Sequence, residues 1–129
     1  MIVVDSSVWI AHFRNSDTPE VRKLRATSRK RNIIVGDLVL LEVLQGARDE
    51  RHARQMGDVL RQFTNLPLMD ADTPGEAARI YRTLRADGIT IRKTVDLIIA
   101  TFCLLGDHHL LHSDRDFTPI AERFGLRLA

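Results

Sequence analysis

Three short runs in this chain have an uninterrupted apolar centre, and each ends in a polar residue or a glycine. They are "MIVVD" (1–5), "NIIVG" (32–36) and "HLLHS" (109–113). A strand with one wet face alternates apolar and polar residues. A strand that is apolar on both faces must be covered on both. Long stretches with helical patterning separate the runs, so the strands are joined by crossovers rather than hairpins and lie parallel. "LPLM" (66–69) and "LRL" (126–128) are weaker strand candidates. The expectation is an α/β fold: a three-layer α/β/α sandwich around a short, mostly parallel sheet of about five strands.

The helices carry their own start and stop marks. "SSVWIAHF" (6–13) follows the first strand, with a serine placed to cap it. "TPEVRKLRATSRKR" (18–31) opens on Thr-Pro-Glu. "DLVLLEVLQGA" (37–47) opens at Asp37 and closes near Gly46, and "DERHARQMGDVLRQF" (49–63) follows it. "DTPGEAARIYRTLRADG" (72–88) has proline near its start and glycine just past its end. "TVDLIIATFCLLG" (94–106) is an apolar helix, and "DRDFTPIAERFG" (114–125) holds a short one. No repeat, linker or low-complexity segment interrupts this order, and 129 residues suit one domain spanning 1–129.

The single cysteine, Cys103, lies in an apolar run and reads as a buried, inert thiol. Multi-cysteine zinc sites are excluded, and a reducing cytoplasm is expected. The run "MIVV" is stopped at once by Asp5 and has no basic region before it, unlike a signal peptide. No apolar stretch approaches the roughly 18 residues of a membrane span. Net charge is only +2, yet basic residues, mostly arginine, cluster in 21–31 and 47–62. Arginine presents a fork suited to phosphate.

Four carboxylates sit where charge is expensive. In parallel sheets the active site lies beyond the carboxyl ends of the strands. Asp5 closes the first strand and Asp114 closes "HLLHS". Glu42 interrupts "LVLLEVL" on a helical face shared with Leu38, Leu41 and Gln45, and Asp96 lies in the first turn of an apolar helix. Two unit charges about 4 Å apart repel by roughly 4 kcal/mol at an effective dielectric near 20. Converging carboxylates therefore need a cation. Without one, removing a charge at Asp96 or Asp114 is expected to stabilise the chain. An all-oxygen site without cysteine or paired histidine favours Mg²⁺ or Mn²⁺. Such a cation supports phosphodiester hydrolysis, because it makes hydroxide available from water near neutral pH and stabilises the leaving 3′ oxygen.

At these residues the chain resembles a known family. "MIVVDSSVWI", "LLEVLQG", "TVDLIIATFCLL" and "LLHSDRDF" are similar, in order and position, to the four acidic motifs of PIN-domain ribonucleases, above all the VapC toxins of type II toxin–antitoxin pairs. The resemblance implies a Mg²⁺-dependent endoribonuclease (with Mn²⁺ as a substitute) acting on tRNA, rRNA or mRNA. Asp5, Glu42, Asp96 and Asp114 match the catalytic quartet. Asp5, Asp96, Asp114 and Asp116 are the expected metal ligands. Ser7, His112 and Arg115 are candidate substrate-lining residues. The alternatives are helix capping for Ser7, packing or hydrogen bonding for His112 and plain solvent exposure for Arg115. Many members carry threonine where this chain has His112. The other histidines, His12, His52, His108 and His109, show no ligand spacing.

The resemblance further implies a homodimer, a VapB-type antitoxin that neutralises the toxin in a hetero-oligomer, and no membrane. Trp9 and Phe13 are either core residues or part of an antitoxin groove. Two other readings share the fold: an RNA-processing PIN nuclease outside a toxin–antitoxin pair, and a non-catalytic RNA-binding module. An aspartyl-phosphate phosphatase is disfavoured, since position 7 is serine and the only lysines are Lys23, Lys30 and Lys93.

Overall fold

In the computed structural model, which describes residues 1–129, the apolar runs become three adjacent strands of one sheet. Strand β1 (Ile2–Val4) pairs in parallel with β2 (Ile33–Gly36), with Ile2 opposite Ile33, and with β4 (His109–Leu111), with Val3 opposite Leu110. Strand β3 (Thr64–Leu66) adds to the outer side of β2, so the order is β3-β2-β1-β4 and every pairing is parallel. Val3, Val4, Ile33, Ile34, Val35, Leu110 and Leu111 are all buried, as apolarity on both faces requires.

The helices are α1 (Ser6–Phe13), α2 (Pro19–Ala26), α3 (Asp37–Gln45), α4 (Glu50–Leu60), α5 (Thr73–Ala86), α6 (Thr94–Gly106) and α7 (Thr118–Phe124). None is long and apolar enough to cross a membrane. Helix α6 is the most buried of them, with Asp96 through Thr101 and Cys103 all inside. Burial pushes the Cys103 thiol up to about 12, which keeps it inert.

Four local expectations are corrected. The fifth strand shrinks to one bridge, Leu128 beside Leu110, although Ala129 N–H donates to the Leu110 carbonyl at 2.8 Å. The third strand lies at 64–66 rather than 66–69. Pro67 has no N–H for the ladder, and Leu68 leaves the sheet to pack against Gly36. A Cβ at Gly36 would meet the Leu68 side chain at 2.6 Å, so glycine is what lets this chain pass so close to β2.

Helix α2 stops at Ala26 rather than 31. Val21 and Leu24 bury its apolar face, but 28–32 offers only exposed polar and basic residues, so burial no longer supports the helix. Lys30–Asn32 form a 3-10 turn instead. Finally, α1 is capped by Asp5, which accepts from Ser7 N–H at 3.1 Å, and not by a serine. Trp9 is 1% exposed and packs its ring edge-on to Phe63 with centroids 5.0 Å apart. It is a core residue.

Candidate active site

The order β2-β1-β4 sets the site. Asp5 follows β1 directly, and the chain leaving the neighbouring strand β4 reaches Asp114 three residues later. Helix α6 brings Asp96 in its first turn, and α3 brings Glu42. Together with Ser6, Ser7, Ile10, Gln45 and Lys93, these four carboxylates line one polar cleft of about 310 Å³. The cleft thus unites residues spread over more than 100 positions of sequence.

Asp116 joins from the side. Asp96, Asp114 and Asp116 each offer a carboxylate oxygen within 4.8 Å of the others. Asp96 and Asp114 therefore belong both to the cleft and to this tighter trio, while Asp5 and Glu42 belong only to the cleft. Ser7 lines the cleft as well as entering the capping turn of α1: its Oγ donates to Asp5 Oδ2 at 2.5 Å and accepts from Ser113 N–H at 3.1 Å. One hydroxyl thus ties the end of β1 to the loop after β4. His112 and Arg115 do not line the cleft. The His112 ring packs on Phe117, 4.9 Å between centroids, and its Nδ1 accepts from Asp114 N–H at 3.0 Å. It orients the loop that carries Asp114. Arg115 is exposed, in a 3-10 turn.

Residues 2–123 match the family model of the PIN domain. The chain belongs to the PIN-domain family. VapC ribonuclease Mb1587 of Mycobacterium bovis and ribonuclease VapC11 of Mycobacterium tuberculosis are each 31% identical to it over 132 residues, covering 100% of this chain and 98% of theirs. At that identity over the full length, this PIN domain is a ribonuclease of the VapC kind. Solved structures share its fold. VapBC2 of Rickettsia felis, bound to a promoter DNA fragment, matches with TM-score 0.78 at 18% identity over 100% of this chain and 98% of that one. The sarcin-ricin-loop-cleaving toxin VapC20 of Mycobacterium tuberculosis matches with TM-score 0.70 at 19% identity over 93% and 95%.

The electrostatics of this PIN domain are uneven. Asp5 and Asp96 are 2% and 3% exposed, and Asp5 Oδ1 and Asp96 Oδ2 are buried without any hydrogen-bond partner. Burial, reinforced by the charges of Asp5 and Asp114, pushes the Asp96 carboxyl up to about 7. Burial likewise raises Glu42, against the hydrogen bond that Ser6 Oγ donates to its Oε1 at 3.1 Å. Asp114 moves the other way. Its Oδ1 accepts Asp116 N–H at 2.9 Å and its Oδ2 accepts from Lys93 Nζ at 3.2 Å, and these hold its carboxyl below the usual range.

Two unpartnered carboxylate oxygens inside a protein are costly, and all-oxygen donors around them suit a hard divalent cation. The residues present therefore fit a metal site. Ser6 and Lys93 also belong to the site, although the sequence does not single them out. Ser6 pairs with a residue 36 positions away, which no local pattern records. Lys93 does leave one trace, a basic residue three positions before Asp96 at the start of α6.

Proposed function

We propose that this cleft hydrolyses RNA phosphodiester bonds with Mg²⁺, or Mn²⁺ in its place, and that Asp5, Asp96 and Asp114, with Asp116 beside them, hold the cation while Glu42 completes the catalytic quartet. The observation that carries this reading is the pair of buried, unpartnered oxygens on Asp5 and Asp96 in one cleft with Asp114. When bound, the cation supplies Lewis-acid stabilisation of the phosphoryl centre and lowers the pKa of water. Asp5 and Asp96 are rigidly placed for this, one by the capping turn of α1 and the other by the first turn of α6. Ser6 holds Glu42 and Ser7 holds Asp5, so their carboxylates need little reorganisation on binding.

The chain is the toxin component of a toxin–antitoxin pair, in keeping with its VapC relatives and with a fold shared with VapBC complexes. The finer reading is one PIN domain over 1–129, a homodimer in the cytoplasm, neutralised by a VapB-type antitoxin. Purified protein incubated with total tRNA and rRNA should cleave RNA with Mg²⁺ or Mn²⁺ and stop when EDTA removes the metal. Metal-independent cleavage, or equal cleavage by Asp5→Asn, would overturn the reading. Growth arrest on expression, absent for Asp5→Asn and relieved by the product of an adjacent antitoxin gene, tests the toxin role.

A further inference from the structure

The cleft has four carboxylates along its walls and one cation, Lys93. RNA brings further negative charge to this place, so the role of that lone ammonium matters. Lys93 ends the segment before α6, where its carbonyl accepts Leu97 N–H at 3.3 Å. The backbone is thereby held at the start of α6 while the side chain stays 61% exposed. Its Nζ sits 3.2 Å from Asp114 Oδ2 and within charge reach of Asp96 and Asp116. It also feels Glu42 across the cleft.

The two oxygens of Asp114 have different occupations. Oδ1 is taken by the Asp116 N–H, which closes the local turn. Oδ2 is the oxygen left for a ligand, and Lys93 occupies it. A cation entering the trio of Asp96, Asp114 and Asp116 meets an Asp114 carboxylate whose Oδ2 Lys93 already holds. An exposed lysine pair is worth little, so the exchange is easy. Once released, the ammonium remains at the mouth of the cleft on a flexible four-carbon stem, beside the carboxylates that have just been neutralised.

We propose that Lys93 is a built-in placeholder, holding Asp114 Oδ2 while the metal is absent and turning to a non-bridging oxygen of the scissile RNA phosphate when the metal binds. The inference rests on the metal-dependent ribonuclease reading above and adds a substrate-contacting residue to it. In the hydrolysis a water oxygen forms a bond to phosphorus, the bond from phosphorus to the 3′ oxygen breaks, and the proton lost by water ends on that 3′ oxygen. Lys93 stays protonated throughout. It donates a hydrogen bond to the non-bridging oxygen, where charge builds in the transition state.

The test uses Lys93→Met, Lys93→Gln and Lys93→Arg in the full chain, with Mn²⁺ binding read by electron paramagnetic resonance and cleavage by single-turnover kinetics. Removing the competing ammonium in Lys93→Met and Lys93→Gln should tighten Mn²⁺ binding, by up to about fivefold. The same variants should lose about a hundredfold in the cleavage rate, with a smaller change in RNA binding. Lys93→Arg should recover most of the cleavage. Mn²⁺ binding that is unchanged or weaker in the neutral variants overturns the placeholder, and wild-type cleavage in them overturns the phosphate contact. A merely structural lysine would lower the melting temperature and would not tighten metal binding. Wild-type protein that fails to cleave RNA with Mn²⁺ would instead sink the ribonuclease reading itself, so the two failures are distinct.

Discussion

Two halves of the acidic site carry the same charge and are built in opposite ways. Asp5 and Asp96 lie on the closed side, fixed by the end of β1 and the first turn of α6, nearly inaccessible and each with an oxygen that nothing satisfies. Asp114 and Asp116 lie on the open side, in the loop after β4, where a backbone N–H and Lys93 already serve Asp114. The closed half is costly without a cation and changes little in shape. The open half is stable by itself and can exchange partners. A site that must accept a metal and then a polyanion can use both: one half supplies the drive to bind, the other the freedom to rearrange.

The sharpest way to break this contrast is catalytic. Asp5→Asn and Asp96→Asn should each lower metal-dependent RNA cleavage by about a thousandfold or more, since each thousandfold corresponds to roughly 4 kcal/mol of transition-state stabilisation. The Asp5 variant should keep its fold, because asparagine caps helices as well as aspartate. Circular dichroism and single-turnover cleavage on the same samples check both parts.

The next effect is on stability without metal. Asp96→Asn removes a buried, poorly served charge and should raise the melting temperature by about 5 °C in EDTA. Asp114→Asn should not. It loses the Lys93 pair and keeps only the oxygen that accepts from Asp116 N–H, so its melting temperature should be unchanged or lower by about 2 °C. The expectation from sequence, that removing either charge stabilises, is therefore predicted to survive for Asp96 and to fail for Asp114. Equal shifts for the two variants would erase the distinction.

A pH series sharpens it further. The Asp96 carboxyl stands near 7 in the folded chain, above its ordinary value in the unfolded chain. Its contribution is therefore fully present at low pH and lost as pH rises, across a window from about 4 to about 7. His12 and His108, both lowered by burial, act in the opposite sense. The difference between wild type and Asp96→Asn cancels them. The stabilisation given by Asp96→Asn in EDTA should thus grow from near zero at pH 4 to its full value above pH 7. A flat difference would remove the buried-carboxylate account of Asp96.

The smallest expected effect concerns Ser6. Ser6→Ala frees Glu42 from its hydrogen bond and should cost about 1 kcal/mol or less of stability, with a fall in cleavage of about tenfold or less. Thermal melts and cleavage rates of the same preparation decide it.

The strand runs make the sheet legible from the residues themselves, because apolarity on both faces leaves a strand only one kind of place to go. For the same reason Asp5, Glu42, Asp96 and Asp114 stand out: a charge inside or at the end of an apolar run has to be explained, and all four do line one cleft. Residues whose partners are distant in sequence are not legible. Ser6 meets Glu42 and Ser7 meets Ser113 because β1 lies between β2 and β4, and Lys93 meets Asp114 because α6 packs against β4 and the turn that follows it. His112 looks like a candidate for the substrate side and instead packs on Phe117 and supports the Asp114 loop. Sequence alone determined the class of sheet and singled out the acidic residues, since apolar patterning and a charge set in an apolar run are features of neighbours along the chain. Tertiary structure decided which carboxylate oxygens lack partners and which one a lysine holds, since desolvation and hydrogen bonding depend on neighbours in space.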